Sequence, residues 1–257
     1  MTHSNRAQPR VGLMATCLMN VFRPNIGFSA ADLLRAAGCR VEVPSDQTCC
    51  GQPAYSAGDD DAARAMARQL IEQFEAFDYL VSPSGSCIGT VRKYPQLFAD
   101  DDPWQARAEA LAAKAYELLS FLVDVRRVAI DARYQGKATY HDSCSGLRQL
   151  GVKRQPRELL SQVEGLEIAE MDDAEVCCGF GGSFCVKYPK ISEKMVDDKL
   201  KSIAASGADT LLGGDLGCLM NIAGRLRRSG AKVRVWHTAE VLAGRTDGAA
   251  IGEEEAR

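Results

Sequence analysis

The strings Cys49-Cys50-Gly51 and Cys177-Cys178-Gly179 decide the reading of this chain. Each sits in the same frame. A single cysteine, Cys17 or Cys144, precedes its doublet by 32 or 33 residues, and another, Cys87 or Cys218, follows the doublet by 37 or 40. With ten cysteines and 23 glycines in 257 residues, about 0.03 such triplets arise by chance, so two in matched frames mark an internal duplication.

Outward from the doublets, each copy alternates strand and helix patterns. The first reads as a strand over 10–17, a helix over 26–38 ending in glycine and a short strand over 41–44. A helix over 59–77, with an acidic first turn that suits its dipole, and a strand over 79–82 then deliver Cys87 on a Ser-Gly-Ser loop. The second copy follows with strand 138–141, helix 155–161, strand 166–170, helix 191–206 and strand 210–213. This alternation predicts an α/β protein of two tandem, pseudo-symmetric, Rossmann-like cysteine-rich units with parallel sheets. Sites in such sheets lie at the carboxyl ends of strands, where Cys17, Cys87, Cys144 and Cys218 fall. The units span 10–98 and 137–243. Residues 99–136, rich in alanine and leucine, read as a connecting helix with Pro103 near its start, and the polar, acidic stretch 244–257 as a frayed tail.

Composition narrows the chemistry. Apolar residues make up 46% of the chain and charged residues 25%, as in a folded globular protein. With 31 basic and 34 acidic residues the net charge is −3, and no concentrated basic face speaks for nucleic acid. No run reaches the 18 or so apolar residues of a membrane span. The apolar stretch 11–22 runs into Arg23 and Pro24 without a small-residue cleavage site, so it reads as a buried strand ending at a ligand and not as a signal peptide. A chain this long needs no disulfide framework, and neighbouring Cα atoms about 3.8 Å apart are too close for an unstrained bridge. The expected location is the cytoplasm, where thiols stay reduced and available to metal.

Four thiols per half, drawn from three segments, do not make the Cys-x-x-Cys knuckles usual for zinc. An adjacent pair is awkward on one tetrahedral ion, whereas a cluster of several irons spreads its attachment points. The pattern therefore predicts two iron–sulfur clusters, of the [4Fe-4S] type, one on Cys17, Cys49, Cys50 and Cys87 and one on Cys144, Cys177, Cys178 and Cys218. Zinc in one site stands as the alternative. Backbone amides of the glycine-rich stretch 179–184 are candidate hydrogen-bond donors to sulfur.

The doublets in this duplicated layout resemble the cysteine-rich CCG domain found in heterodisulfide reductases and in the iron–sulfur subunits of glycolate and glycerol-3-phosphate oxidation systems. The strings Thr16-Cys17-Leu18, Cys49-Cys50-Gly51-Gln52-Pro53-Ala54-Tyr55, Ser82-Pro83-Ser84-Gly85-Ser86-Cys87, Cys177-Cys178-Gly179-Phe180-Gly181-Gly182-Ser183-Phe184 and Gly217-Cys218-Leu219-Met220-Asn221-Ile222 resemble the lactate utilization protein A family, over residues 11–242. That resemblance implies an electron-transfer oxidoreductase subunit of a cytoplasmic system oxidising L-lactate to pyruvate, not catalytic alone, with lactate utilization proteins B and C as partners. Heterodisulfide reductase units extend their last ligand to Cys-x-x-Cys. Here Ser84 and Asp215 stand at the first of those positions, which argues for four-thiolate ligation and against disulfide chemistry. A zinc-binding scaffold and a thiol–disulfide enzyme acting through Cys177 and Cys178 are the competing classes.

Other residues carry a plainer reading beside the functional one. Cys39 reads as a small buried hydrophobe and Cys185 as a bystander to the ligands. His141 and His237 read as strand-end structural groups, with a hydrogen bond from His141 to a cluster sulfur as the functional alternative. Arg225, Arg227 and Arg228 read as a solvated helix end, with docking of an acidic partner as the alternative. Arg148 and Lys187 lie near ligands in sequence and are candidates to offset thiolate charge, while Tyr55, Phe180 and Phe184 read as a dry wall around the sites.

Overall fold

The computed structural model describes residues 8–100 and 102–254. Its first half runs β1 (Arg10–Leu13), α1 (Cys17–Phe22), α2 (Asn25–Ala36), β2 (Arg40–Glu42), α3 (Gln52–Ala57), α4 (Asp60–Phe74), β3 (Tyr79–Ser82) and α5 (Gly85–Val91). After a 3₁₀ turn over Tyr94–Leu97 come α6 (Pro103–Ala113), β4 (Ala115–Glu117) and α7 (Leu118–Ser120), which continues as a π-turn over Phe121–Arg126. The second half runs β5 (Arg133–His141), α8 (Cys144–Leu150), α9 (Arg154–Leu160), β6 (Glu164–Ile168), α10 (Phe184–Lys187) and α11 (Pro189–Ala205). It closes with β7 (Thr210–Gly213), α12 (Leu216–Ser229), β8 (Arg234–His237) and α13 (Thr238–Leu242).

Each half forms one four-stranded sheet, ordered β2-β1-β3-β4 and β6-β5-β7-β8, and every strand pair is parallel. The α/β class, the two units and the parallel sheets predicted from the duplication are all present. In both sheets the chain leaves the first strand in one direction and crosses back to the other side, so the crevice at the strand ends opens beside β1 and β3, or β5 and β7. No helix among the described residues is long and apolar enough to cross a membrane.

Several local readings need correction. The stretch 99–136 is not one connecting helix, because Ala115–Glu117 pairs with β3 as a fourth strand and the chain then turns back into the core. The strand predicted over 10–17 stops at Leu13, where Thr16 caps α1 through the Met19 amide (3.4 Å) and puts Cys17 on a helix. Within the tail, Ala250 and Ile251 are buried, and the Ile251 amide donates to the Val235 carbonyl (2.8 Å), so the chain packs back on β8 as far as the described residues extend.

One apolar core joins the halves. Val11 and Val81 of the first sheet and Ala138, Tyr140 and Leu212 of the second face a shared layer that holds Leu34, Leu122, Leu159 and Val241. The packing is reciprocal: α7 and its π-turn lie on α9 of the second unit, whereas α13 lies on α2 of the first. Polar contacts follow the same exchange. Gln155 donates to Asp124 (2.7 Å), and Arg23 and Asn25 both donate to the buried Glu240 (2.8 and 3.0 Å).

The two units approach closely at Gly85 of α5 and Gly146 of α8, where a Cβ on Gly85 would sit 2.9 Å from the Gly146 Cα and 3.0 Å from its nitrogen. Because both neighbours are backbone atoms, neither can swing aside. Gly85→Ala should therefore cost about 1–3 kcal/mol in urea denaturation. Gly248→Ala, which meets nothing within 4 Å, should leave the midpoint unchanged.

Candidate metal centre

The four single cysteines of the two frames all lie in the first turn of a helix that follows a strand. Cys17 opens α1 and Cys144 opens α8, while Cys87 and Cys218 lie in the first turns of α5 and α12. Hydroxyl caps set three of these turns: Thr16, Ser84 and Ser143 accept from the amides of Met19, Cys87 and Gly146 (3.4, 3.4 and 3.2 Å). Cys87 thus sits on a helix and not on the predicted loop. A helix N-terminus favours the thiolate over the thiol.

The doublets close each site from the third segment. Gly51 and Gly179 both take left-handed backbone angles, φ +82° and +84°, and a Cβ on Gly179 would meet the Ser192 carbonyl oxygen at 2.7 Å. Only glycine turns the chain there without strain. The second cysteine of each doublet is then anchored through its carbonyl. Tyr94 Oη donates to Cys50 O (2.8 Å), and Asn221 Nδ2 donates to Cys178 O (2.9 Å).

Both predicted quartets come together. Cys17 Sγ and Cys49 Sγ lie 3.9 Å apart, all four thiols of the first quartet line one cavity, and the Cys178 and Cys218 sulfurs lie within 4.8 Å of each other. Along each chain, from Cys17 through Cys49 and Cys50 to Cys87 and from Cys144 through Cys177 and Cys178 to Cys218, every thiol acts on the charge of the next. In each chain the first cysteine of the doublet accepts from both neighbours, which draws the values of Cys49 and Cys177 far below the usual thiol range. Hydrogen bonding and burial push Cys17, Cys50, Cys144 and Cys178 up. The Gly179 amide points at Cys177 Sγ (3.4 Å). A cavity of about 230 Å³ opens in front of the first quartet. Cys17, Cys49, Cys50 and Cys87 line it from one half, and Phe180 and Asp215 from the other.

Cys39 and Cys185 lie apart from the quartets: Cys39 is buried in the shared core, and Cys185 turns its thiol to the Gly182 carbonyl (3.3 Å). Tyr55 hydrogen-bonds Gln96 (3.2 Å), and Phe184 packs on Tyr188. Arg225 is held by Glu193 and Asp197 of α11 (2.5–2.8 Å), and Arg227 pairs with Glu254, so two of the three helix-end arginines are engaged within the chain. Arg148 reaches the Glu175 carbonyl (3.4 Å), and Lys187 is exposed.

A profile of the cysteine-rich (CCG) domain matches residues 11–92 and 138–223. Lactate utilization protein A of Bacillus cytotoxicus is 48% identical over 238 residues, which are 92% of this chain and the whole of that protein. Lactate utilization protein A of Halalkalibacterium halodurans is 49% identical over 234 residues, 91% of this chain and 96% of that one. The chain belongs to the lactate utilization protein A family. In fold it is also similar to a hypothetical protein from Helicobacter pylori, with a TM-score of 0.68 at 10% identity over 99% of this chain, which spans about half (52%) of that longer one.

In this member of the lactate utilization protein A family, the two positions where heterodisulfide reductase units carry an added cysteine join the halves instead. Asp215 precedes α12 and is buried. Its Oδ2 accepts from the Ser86 amide (2.9 Å) and the Ser84 hydroxyl (3.5 Å). His237 holds the same loop. Its Nδ1 accepts from the Ala239 amide (3.1 Å), so Nε2–H donates to the Pro83 carbonyl (3.1 Å), and burial keeps its value down to about 4. Sequence reasoning read Asp215 only as the place of an absent cysteine, and missed Lys199 and Glu117. Lys199 had a visible signal, since it falls between Val196 and Ile203 on the buried face of α11.

Glu117, at the end of β4, accepts from the Ser120 amide (3.0 Å), but its Oε1 is buried without a partner, and burial raises the group from 4.5 to about 7. The folded protein therefore keeps a proton that the unfolded chain releases. Its contribution to stability is full below about pH 4.5 and is lost as the pH rises through about 7. In urea denaturation across that range, Glu117→Gln should gain stability relative to the parent as the pH rises, and the two should converge at low pH.

Proposed function

We propose that this chain is the iron–sulfur electron-transfer subunit of a cytoplasmic system that oxidises L-lactate to pyruvate, working with lactate utilization proteins B and C. What carries the reading is the twofold convergence of four thiols, two at helix N-termini and two on a glycine-turned doublet, in a chain about 48% identical along almost its whole length to proteins named for lactate utilization.

The donor set fits iron–sulfur clusters. Soft thiolate sulfur is their usual protein ligand, and each quartet offers four such atoms from three segments. The adjacent doublet sulfurs leave the chain at a glycine turn, and the Gly179 amide donates to Cys177 Sγ (3.4 Å). Cys17, Cys49, Cys50 and Cys87 would hold one cluster, and Cys144, Cys177, Cys178 and Cys218 the other. Bound there, a [4Fe-4S] cluster supplies one-electron exchange at a potential set by burial and by hydrogen bonds to sulfur.

The chain's own residues do the rest. Helix dipoles and amides stabilise thiolate charge, and Tyr94 and Asn221 hold the doublets rigid. Phe180 and Leu216 wall the first cavity, and the Ser86–Asp215 bond ties the first quartet's loop to the start of the second quartet's helix.

Anaerobically purified protein should be brown, carry about eight irons and give an electron paramagnetic resonance signal on reduction. Colourless protein with stoichiometric zinc would reject the proposal. Cys50→Ser and Cys178→Ser should each lose roughly half of the iron, while Cys39→Ser and Cys185→Ser keep all of it. Lactate-dependent reduction of an artificial acceptor by the assembled system should disappear when this subunit is left out.

A further inference from the structure

We propose that His141 and Lys199 hold the second cysteine quartet at a higher reduction potential than the first, an inference that rests on reading both quartets as iron–sulfur sites. Equivalent positions of the two halves differ in kind. Three residues before the first cysteine of each quartet stands Met14 in one half and His141 in the other. The helices behind the doublets give a second pair: Gly51 lies against Ala63 O and Met66 Cβ, and Gly179 against Ser192 O and Met195 Cβ. That register sets Leu70 opposite Lys199. All four residues are buried, Leu70 at 0% exposure and the other three at 1%. The duplication has thus kept the places and changed the chemistry, apolar in the first half and polar in the second.

His141 has a ring nitrogen grouped with the sulfurs of Cys178 and Cys218, all three atoms within 4.8 Å of one another, and neither ring nitrogen has a hydrogen-bond partner. Buried polar atoms are nearly always paired, so the ring is aimed at whatever those sulfurs hold. Lys199 reaches the carbonyls of Asp173 and of Ala174 (3.5 Å) in the segment that leads to the second doublet. Burial pulls Lys199 below the usual lysine range, and the charges of Cys178 and Cys177 act against that fall. An ammonium at this position offers its N–H groups to both carbonyls beside the second doublet.

Reduction adds negative charge to a site that already carries thiolates. A cation and an N–H donor in a low-dielectric interior stabilise the added charge, and Met14 and Leu70 do neither. Solvent acts the other way at the first site, where Cys17 is exposed, but Cys50 and Cys87 behind it are buried. The fixed charge on the second site therefore decides the order, and a single electron given to the protein settles in the second half.

The full chain, purified anaerobically with its iron, can be titrated with dithionite while electron paramagnetic resonance follows each centre. Two separate reduction steps are expected, the higher one absent from Cys178→Ser and the lower one absent from Cys50→Ser. His141→Met and Lys199→Met should each move the higher step towards the lower and leave the lower in place, and Lys199→Arg should restore it. Circular dichroism checks the fold of each variant, and if Lys199→Met does not fold, His141→Met decides alone. One shared potential, a higher step that vanishes in Cys50→Ser, or a step unmoved in the folded variants would overturn the inference and leave the cluster assignment standing. Folded protein without iron would strike down the cluster assignment itself and the inference with it.

Discussion

Two adjacent cysteines face one centre only if the chain reverses immediately after them, and the left-handed turns at Gly51 and Gly179 provide that reversal. The surrounding elements serve the same end. Strands β1 and β3, or β5 and β7, bring the remaining thiols to the crevice where the sheet changes direction, and helix dipoles meet them there. Without the turn, the second cysteine of each doublet would point away from its partners, and the carbonyl anchors at Tyr94 and Asn221 would have nothing to hold.

The sheets and the quartets were legible because their signals are local or periodic. Doublet, glycine and spacing repeat in the chain, and runs such as 79–82 and 210–213 coincide with observed strands. What escaped is long-range. Ala115–Glu117 has three residues and little pattern of its own, and becomes a strand only because β3 offers a parallel edge. The packing of Ala250 and Ile251 depends on β8, which no window around the tail contains. Asp215 joins Ser86 across 129 positions of sequence. Its role as a link between halves is invisible in the sequence, where it reads only as the place of an absent cysteine.

The halves are alike in backbone and unlike in what surrounds their sulfur. Shared caps, shared turns and a shared strand order preserve the cradle, while the side chains behind it differ at Met14 and His141 and at Leu70 and Lys199. On the proposed reading such divergence would give electrons a direction, because two identical stations give none to the traffic between them.

The reciprocal seating of α7 on α9 and of α13 on α2 means that neither unit is sealed by its own sequence. Each lends its last segment to the other, as in a domain-swapped pair of subunits with a peptide linker in place of symmetry. Severed at the linker, either half would leave an oily face open to water, so the chain is better regarded as one folding body with two cysteine quartets than as two modules on a string.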